Sequence, residues 1–185
     1  AQKMYDAVNW PWYVDQSRHM FRMGCTVNPD GTYSFSGHWD FYAEQLMLYF
    51  LGAGSSTHPT SKVEYDAFIK HTAKLGEYEF IHSWFGSIFT YQFSHAFVDF
   101  RNIVDAKGID WYENSVIATQ CARQYCIDNP EGFSPFTHNE NSWGLTACDT
   151  PKGYSGLLGN NPTGHGQNNQ TKNDGTMALA GSIGS

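Results

Sequence analysis

Glu44 lies in a stretch from Asp40 to Leu51 that is otherwise almost wholly aromatic and aliphatic, with no Lys or Arg three or four residues away. A carboxylate in such surroundings has its pKa raised by desolvation, which suits a general acid near neutral pH. The same pattern also fits an exposed stripe of a helix, because Gln45 adjoins Glu44 and Asp40 lies four residues earlier. Asp40 is then either a second carboxylate on that face or the residue that caps the helix. A second group is Gln92, His95 and Asp99, at i, i+3 and i+7, among aromatic residues and followed by Arg101. Amide, imidazole and carboxylate groups read sugar hydroxyls, while ring faces stack on the sugar. The alternative is a buried His-Asp-Arg network that fixes a core helix. His95 and Asp99 also have metal-ligand spacing, but no third ligand accompanies them, so no metal and no other cofactor is expected. Trp143, set among small residues and followed by Asp149, could form a sugar platform beside a carboxylate, or could simply pack. His58 before Pro59 is a loop-borne hydrogen-bonder or a turn residue, and Asn169-Gln170-Thr171 is a short glycosylation match.

These residues need elements to hold them. Met4, Tyr5 and Val8 have helical spacing that Pro11 ends. From Met20 to Ser36 apolar and polar residues alternate around Asn28-Pro29-Asp30-Gly31, which predicts a β-hairpin. Asp40 to Phe50 reads as a buried helix that stops at Gly52-Ala53-Gly54. Ser61-Lys62-Val63-Glu64 has capping-box spacing and opens a helix with Tyr65, Phe68, Ile69 and Thr72 on one face. Ser83 to Val98 reads as an aromatic helix interrupted by Gly86, and Trp111 to Ile127 as a clear helix ending before Asn129-Pro130. Thr150 to Gly175 reads as a long loop, and Met177 to Ala180 as a further helical turn. The fold class expected is mainly helical, with five or six helices, one hairpin and long loops.

The 185 residues carry 18 acidic and 11 basic side chains, a net charge of −7, which argues against a nucleic-acid binder. The longest apolar run, Leu46 to Leu51, is far short of the ~20 residues that span a bilayer, and the first residues do not read as a secretory leader. Aromatic residues reach 16%, and no phosphate-cradling motif is present, so a neutral carbohydrate is the ligand class the composition favours. Cys121 and Cys126, five apart in a helix, point about 140° away from each other. A Cys25–Cys148 disulfide is one possibility, and buried free thiols are the alternative.

Long strings point further. Val8-Asn9-Trp10-Pro11-Trp12, Tyr42-Ala43-Glu44, the run from Leu51 to Pro59, FTYQFSHAFVDFR from Phe89 to Arg101, Asn114-Ser115 with Ala118-Thr119, WGLTACD from Trp143 to Asp149, and Asp174-Gly175-Thr176 occur in this order. Together they resemble the glycoamylase-like domain of bacterial β-1,2-glucan-degrading glycoside hydrolases and of cyclic β-1,2-glucan synthases. Ala43 stands where the family usually has Asn, and Cys148 where Ser is usual. The resemblance implies an all-α fold, an (α/α)6 toroid of which residues 1–185 would be a C-terminal part, incomplete at both ends and needing the remainder of the barrel as its partner. It implies a glycoside hydrolase acting on β-glucan, most simply β-1,2-glucan, by inverting acid/base hydrolysis. Glu44 would be the catalytic carboxylate. His58, Gln92, His95, Asp99, Arg101, Trp143 and Asp149 would bind substrate. A second acidic cluster would lie upstream of Ala1. A retaining transglycosylase of cyclic glucan synthesis, a non-catalytic glycan-binding relative and a purely structural helical segment are the other expectations. By analogy the protein would be periplasmic or secreted.

Overall fold

A computed structural model of the chain describes residues 1–150, 153–156, 162–163 and 175–183. The glycosylation match at Asn169 and the motif residue Asp174 lie outside them. The chain forms two compact units, Ala1–Lys70 and His71–Ser185.

In the first unit, a short helix α1 (Gln2–Asp6) leads to a 3-10 turn at Trp10–Tyr13, where Pro11 presets the backbone. Three antiparallel strands follow, β1 (Val14–Asp15), β2 (Met20–Val27) and β3 (Tyr33–His38), in the order β1-β2-β3. The β2–β3 hairpin is where alternation places it, with Arg22 opposite His38 and Val27 opposite Tyr33. Its loop closes because Asp30 Oδ1 accepts the Thr32 N–H at 3.0 Å and the Thr32 hydroxyl at 2.6 Å, while Gly31 adopts φ +82°.

Helix α2 (Leu46–Ala53) begins six residues later than the apolar pattern predicts. Backbone pairing with Ile69 explains the delay. Ile69 N donates to Asp40 O at 2.7 Å and Tyr42 N donates to Ile69 O at 3.0 Å, so Asp40 to Tyr42 is drawn into a bridge before the helix starts. Helix α3 (Lys62–Ala67) opens on the expected capping box: Ser61 Oγ accepts from Val63 N at 3.1 Å, and Glu64 Oε2 accepts from Ser61 N at 2.7 Å. It stops before Phe68, whose extended backbone feeds the Ile69 bridge. Phe21, Tyr49 and Phe68 make the aromatic core, with centroids 5.1 Å and 4.7 Å apart along the row.

The second unit opens with an unforeseen hairpin, β4 (Thr72–Leu75) and β5 (Tyr78–Ile81). Its two-residue loop has Gly76 first, at φ +60°, the glycine-first pattern of tight hairpin turns. Helix α4 (Ile88–Gln92) and a 3-10 turn at Ser94–Ala96 replace the long helix expected from Ser83 to Val98. Gly86 at φ +68° breaks the near side, and Asp99 Oδ1, accepting from Arg101 N at 3.1 Å, turns the chain on the far side. Helix α5 (Trp111–Asp128) matches its prediction: Asp110 Oδ1 accepts from Glu113 N at 2.9 Å, and Asn129 ends it at φ +42° before Pro130. Strand β6 (Cys148–Thr150) ends where the predicted loop from Thr150 to Gly175 begins, β7 (Gly153–Ser155) pairs with it from inside that stretch, most of the remainder of which lies outside the described residues, and α6 (Leu179–Ile183) follows.

The all-α fold class, with its partial (α/α)6 toroid, is therefore corrected. Among the described residues six α-helices stand beside three antiparallel sheets built from seven strands. Helical periodicity in 40–50 and 83–98 gives way there to strand pairing and to side chains that bond their own backbone. Cys121 and Cys126 are buried thiols as one expectation had it; Cys25 is exposed, Cys148 is half-buried, and none of the four is in a disulfide, so the Cys25–Cys148 bridge is not formed.

Candidate active site

A cleft of about 960 Å³ lies in the second unit, and four elements build it. Helix α5 contributes Tyr112, Ser115, Val116, Thr119 and Gln120, at i, i+3, i+4, i+7 and i+8, one continuous helical face. The opposite face of α5 carries Trp111, Asn114, Ala118, Cys121, Ala122 and Tyr125 into the core. Asn114 locks α5 to β5 as a substitute strand residue: its Oδ1 accepts from Ile81 N at 2.7 Å and its Nδ2 donates to Ile81 O at 3.0 Å.

From α4 and the turn after it come Phe89, Gln92, Phe93, His95 and Ala96. His95 Nε2 is 2.9 Å from Ser115 Oγ, and its ring packs on Phe100 at 4.7 Å and against Tyr112 at 6.2 Å. Burial pushes the His95 pKa down, with Asp110 opposing, so the imidazole is uncharged at neutral pH. Gln92 is half-buried, and its Nε2 donates to Gly181 O at 2.9 Å, which fixes the amide against α6.

The third wall is Thr146 to Asp149, with Tyr154 across the β6–β7 pair from Asp149. Its position is set by small hydroxyl side chains under α4. Ala147 N donates to Ser87 Oγ at 2.8 Å, Ser87 Oγ lies 3.2 Å from Thr146 Oγ1, and Ile88 N donates to Leu145 O at 3.1 Å. Gly144 explains the fourth wall. It sits at φ +115°, and a Cβ there would come within 2.8 Å of Ser182 N, so only glycine lets α6 bring Ala178, Ala180 and Gly181 to the cleft.

Beside the cleft is a smaller hollow of about 430 Å³, which shares His95, Ala96 and Tyr112 with it and adds Asp99 and Arg101. Those two form a bidentate pair, Arg101 Nε to Asp99 Oδ1 at 2.8 Å and Nη2 to Oδ2 at 2.7 Å. The Arg101 hydrogen bonds pull the Asp99 pKa down to about 2. Gln92, His95 and Asp99 thus sit on a helix, a 3-10 turn and a loop, and the Asp99–Arg101 pair is exposed, not a core network.

Gln92, His95 and Asp149 meet in the cleft, while Asp99 and Arg101 join only the hollow that His95 shares. Trp143 lines neither and packs against Tyr125, Cys126 and Leu145. Tyr112 has no prominence in the sequence, and Ser115 and Thr146 stand there only within the resembling strings, with no role of their own. The i, i+3, i+4, i+7 run of Tyr112, Ser115, Val116 and Thr119 was the signal for the first two.

In the first unit Glu44 is half-buried in the turn before α2, among the buried side chains of Tyr42, Ala43 and Gln45. Burial pushes its carboxyl pKa up, against a weaker opposing backbone hydrogen bond. Asp40 neither caps the helix nor lies on its face; it pairs with Arg18 at 3.3 Å. His58 is exposed, and its backbone N–H donates to Ser55 Oγ at 3.1 Å. Among the described residues no three His, Cys, Asp or Glu side chains gather as a metal set, and no helix is long and apolar enough to cross a membrane.

Residues 36–185 match the family described as "Putative glucoamylase", and the chain belongs to that family. Its fold is similar to the crystal structure of a putative glucoamylase from Bacteroides uniformis ATCC 8492, with TM-score 0.68, 23% identity, and coverage of 84% of this chain and 39% of that one. A putative glucoamylase from Bacteroides caccae ATCC 43185 gives TM-score 0.67 at 23% identity with the same two coverages, 84% and 39%. A β-1,2-glucanase from Parabacteroides distasonis gives TM-score 0.69 at 17% identity over 84% of this chain and 25% of that one. At these identities the likeness is one of fold, and the chain spans well under half the length of each. No curated protein matches the chain.

Proposed function

We propose that the chain belongs to a glycoside hydrolase that cleaves β-glucan, with β-1,2-glucan as its substrate, and that the cleft between α4, α5 and β6 holds the sugar. The observation that carries this is the make-up of the cleft walls. An uncharged imidazole, an amide, a carboxylate and hydroxyls from Ser115, Thr119 and Thr146 stand between Phe89, Tyr112 and Tyr154. Such a surface offers donors and acceptors to hydroxyls and ring faces to the sugar's apolar side, and among the described residues no Lys or Arg lines it. The family membership and the fold shared with a β-1,2-glucanase support the same substrate class.

Glu44 is assigned the proton-donor role, because a desolvated carboxyl keeps its proton closer to neutral pH. In an inverting reaction it protonates the departing glycosidic oxygen while a second carboxylate takes a proton from the attacking water. Gln92, His95 and Asp149 hold the sugar in the cleft. Asp99 and Arg101 act from the adjoining hollow, Trp143 acts by packing the wall behind Leu145, and His58 serves as a loop-borne contact. Action on an exported glucan places the protein in the periplasm or outside the cell.

The test is reducing-sugar release by the intact protein from β-1,2-glucan and from starch-type α-glucan. Release from β-1,2-glucan is expected, and Glu44→Gln should lower it by about 10²–10⁴-fold, the usual worth of a positioned acid. Release from α-glucan alone would overturn the linkage, and a loss of only a few-fold in Glu44→Gln would remove that residue from the chemistry.

A further inference from the structure

Glu44 sits in a turn, two residues before α2, and whatever holds that turn decides where its carboxyl lies. The pairing of Asp40 and Tyr42 with Ile69 secures the near end. On the far side the bond from Leu46 N to Ala43 O is long, at 3.4 Å. Between them the Gln45 side chain intervenes, and its Nε2 donates to Phe41 O, four residues back. That is the span of one helical backbone bond. The amide thus closes from a side chain the turn that an unbroken helix would close from the backbone, and it encloses Tyr42, Ala43 and Glu44.

Gln45 is as deeply buried as Tyr42 and Leu46 beside it, at 2% exposure. Burying an amide so far is costly unless both of its ends are paired. Phe41 O can only accept, which fixes the nitrogen toward it, and Oε1 finds no donor among the described residues. A methionine would fill similar space without that cost. Packing alone therefore does not account for glutamine here, whereas the bond to Phe41 does. The Glu44 carboxyl is in turn tied to the same backbone, because it accepts a hydrogen bond from its own N–H. Its orientation follows the turn.

We propose that Gln45 is a positioning residue for the acid: by bonding Phe41 O it holds the turn in the shape that keeps the Glu44 carboxyl buried and ready for proton transfer. This rests on the proton-donor role given to Glu44 above and assigns Gln45 no contact with substrate. A turn released at Phe41 lets the carboxyl move toward water, where it loses its proton at lower pH.

Steady-state kinetics of the intact protein on β-1,2-glucan across pH test this, using Gln45→Met, which keeps the length and loses the donor. Its kcat should fall about 10²-fold, the cost of a misplacement of about 1 Å, with KM little changed. The alkaline limb of its pH profile, set by loss of the acid's proton, should move to lower pH. Combined with Glu44→Gln, the second substitution should cost nothing further, because it acts through the group already removed. Gln45→Glu should work at acid pH, where a protonated carboxyl can donate to Phe41 O, and should lose activity at lower pH than the parent does. This variant decides the matter if Gln45→Met does not fold. An alkaline limb that stays in place, even with a fall in melting temperature, would mark Gln45 as structural only and overturn the proposal. Losses that multiply in the double variant overturn it too, and both results leave the role of Glu44 intact. A loss of only a few-fold in Glu44→Gln alone overturns the acid assignment itself, and the positioning role with it.

Discussion

A single methyl group at Gly144 should dislodge one wall of the cleft. An alanine Cβ there would meet Ser182 N at 2.8 Å, Ala178 O at 3.1 Å and the Gly181 carbonyl carbon at 3.2 Å. All three are backbone atoms in or just before α6, so no side chain can swing aside to make room. The backbone at φ +115° is also one that residues with a Cβ rarely adopt. The conformational part alone costs about 1–3 kcal/mol, and forced overpacking about 1–3 kcal/mol more. Gly144→Ala should therefore destabilise the protein by roughly 2–6 kcal/mol, a large share of the ~5–15 kcal/mol that holds a domain folded. Gly153 provides the control, since it sits at φ +105° with nothing within 4 Å of its would-be Cβ. Gly153→Ala carries only the conformational cost. Urea unfolding of the two variants separates the terms, provided the slopes agree. Gly144→Ala should also weaken oligosaccharide binding, because Ala178, Ala180 and Gly181 line the cleft and Gln92 is anchored on Gly181. Equal destabilisation by the two substitutions, with binding unchanged in both, would refute the close approach of α6 as the reason for glycine.

Three further outcomes are expected. Burial raises the Glu44 pKa above its ordinary 4.5, so its contribution to stability is full below that value and is lost as pH rises through the folded-state value. Glu44→Gln should thus be more stable than the parent at neutral pH in thermal unfolding, with the difference gone by about pH 4. His95 is shifted the other way, by desolvation, so its contribution is present above its ordinary 6.5 and is lost as pH falls through the lowered folded value. His95→Gln should flatten the acid side of the stability profile, leaving the part that His138, also lowered by burial, contributes. Finally, with Cys25→Ser in place, a bulky maleimide should react at half-buried Cys148 in the cleft wall and abolish oligosaccharide binding, whereas buried Cys121 and Cys126 stay unmodified in mass spectra of the folded protein. Protection of Cys148 by oligosaccharide is expected in the same spectra.

What could be read from the sequence was decided by how local its cause is. The β2–β3 hairpin, the Ser61–Glu64 capping box and the ends of α5 are fixed by contacts within a few residues, and each is where the residue types put it. Helix α2 was misjudged at its start because the competing partner, Ile69, lies far along the chain and apolar periodicity carries no trace of it. The β4–β5 hairpin had a local sign, Gly76 leading a two-residue loop between Leu75 and Tyr78, that helical spacing of Phe68, Ile69 and Thr72 obscured. Of the candidate site, the polar groups Gln92, His95 and Asp149 were visible as residue types, but their convergence depends on the Ser87–Thr146 bonds and on Gly144, across more than fifty residues. Trp143 illustrates the converse, since an indole beside glycine looks the same in sequence whether it stacks on a sugar or, as here, on Leu145 and its neighbours.

A crystal structure of the intact Glu44→Gln protein with a β-1,2-linked gluco-oligosaccharide addresses the central claim most directly. Sugar hydroxyls within hydrogen-bonding distance of His95, Gln92 and Asp149, between α4, α5 and β6, is the predicted result. A saccharide bound elsewhere on the protein, with that cleft empty, would contradict it.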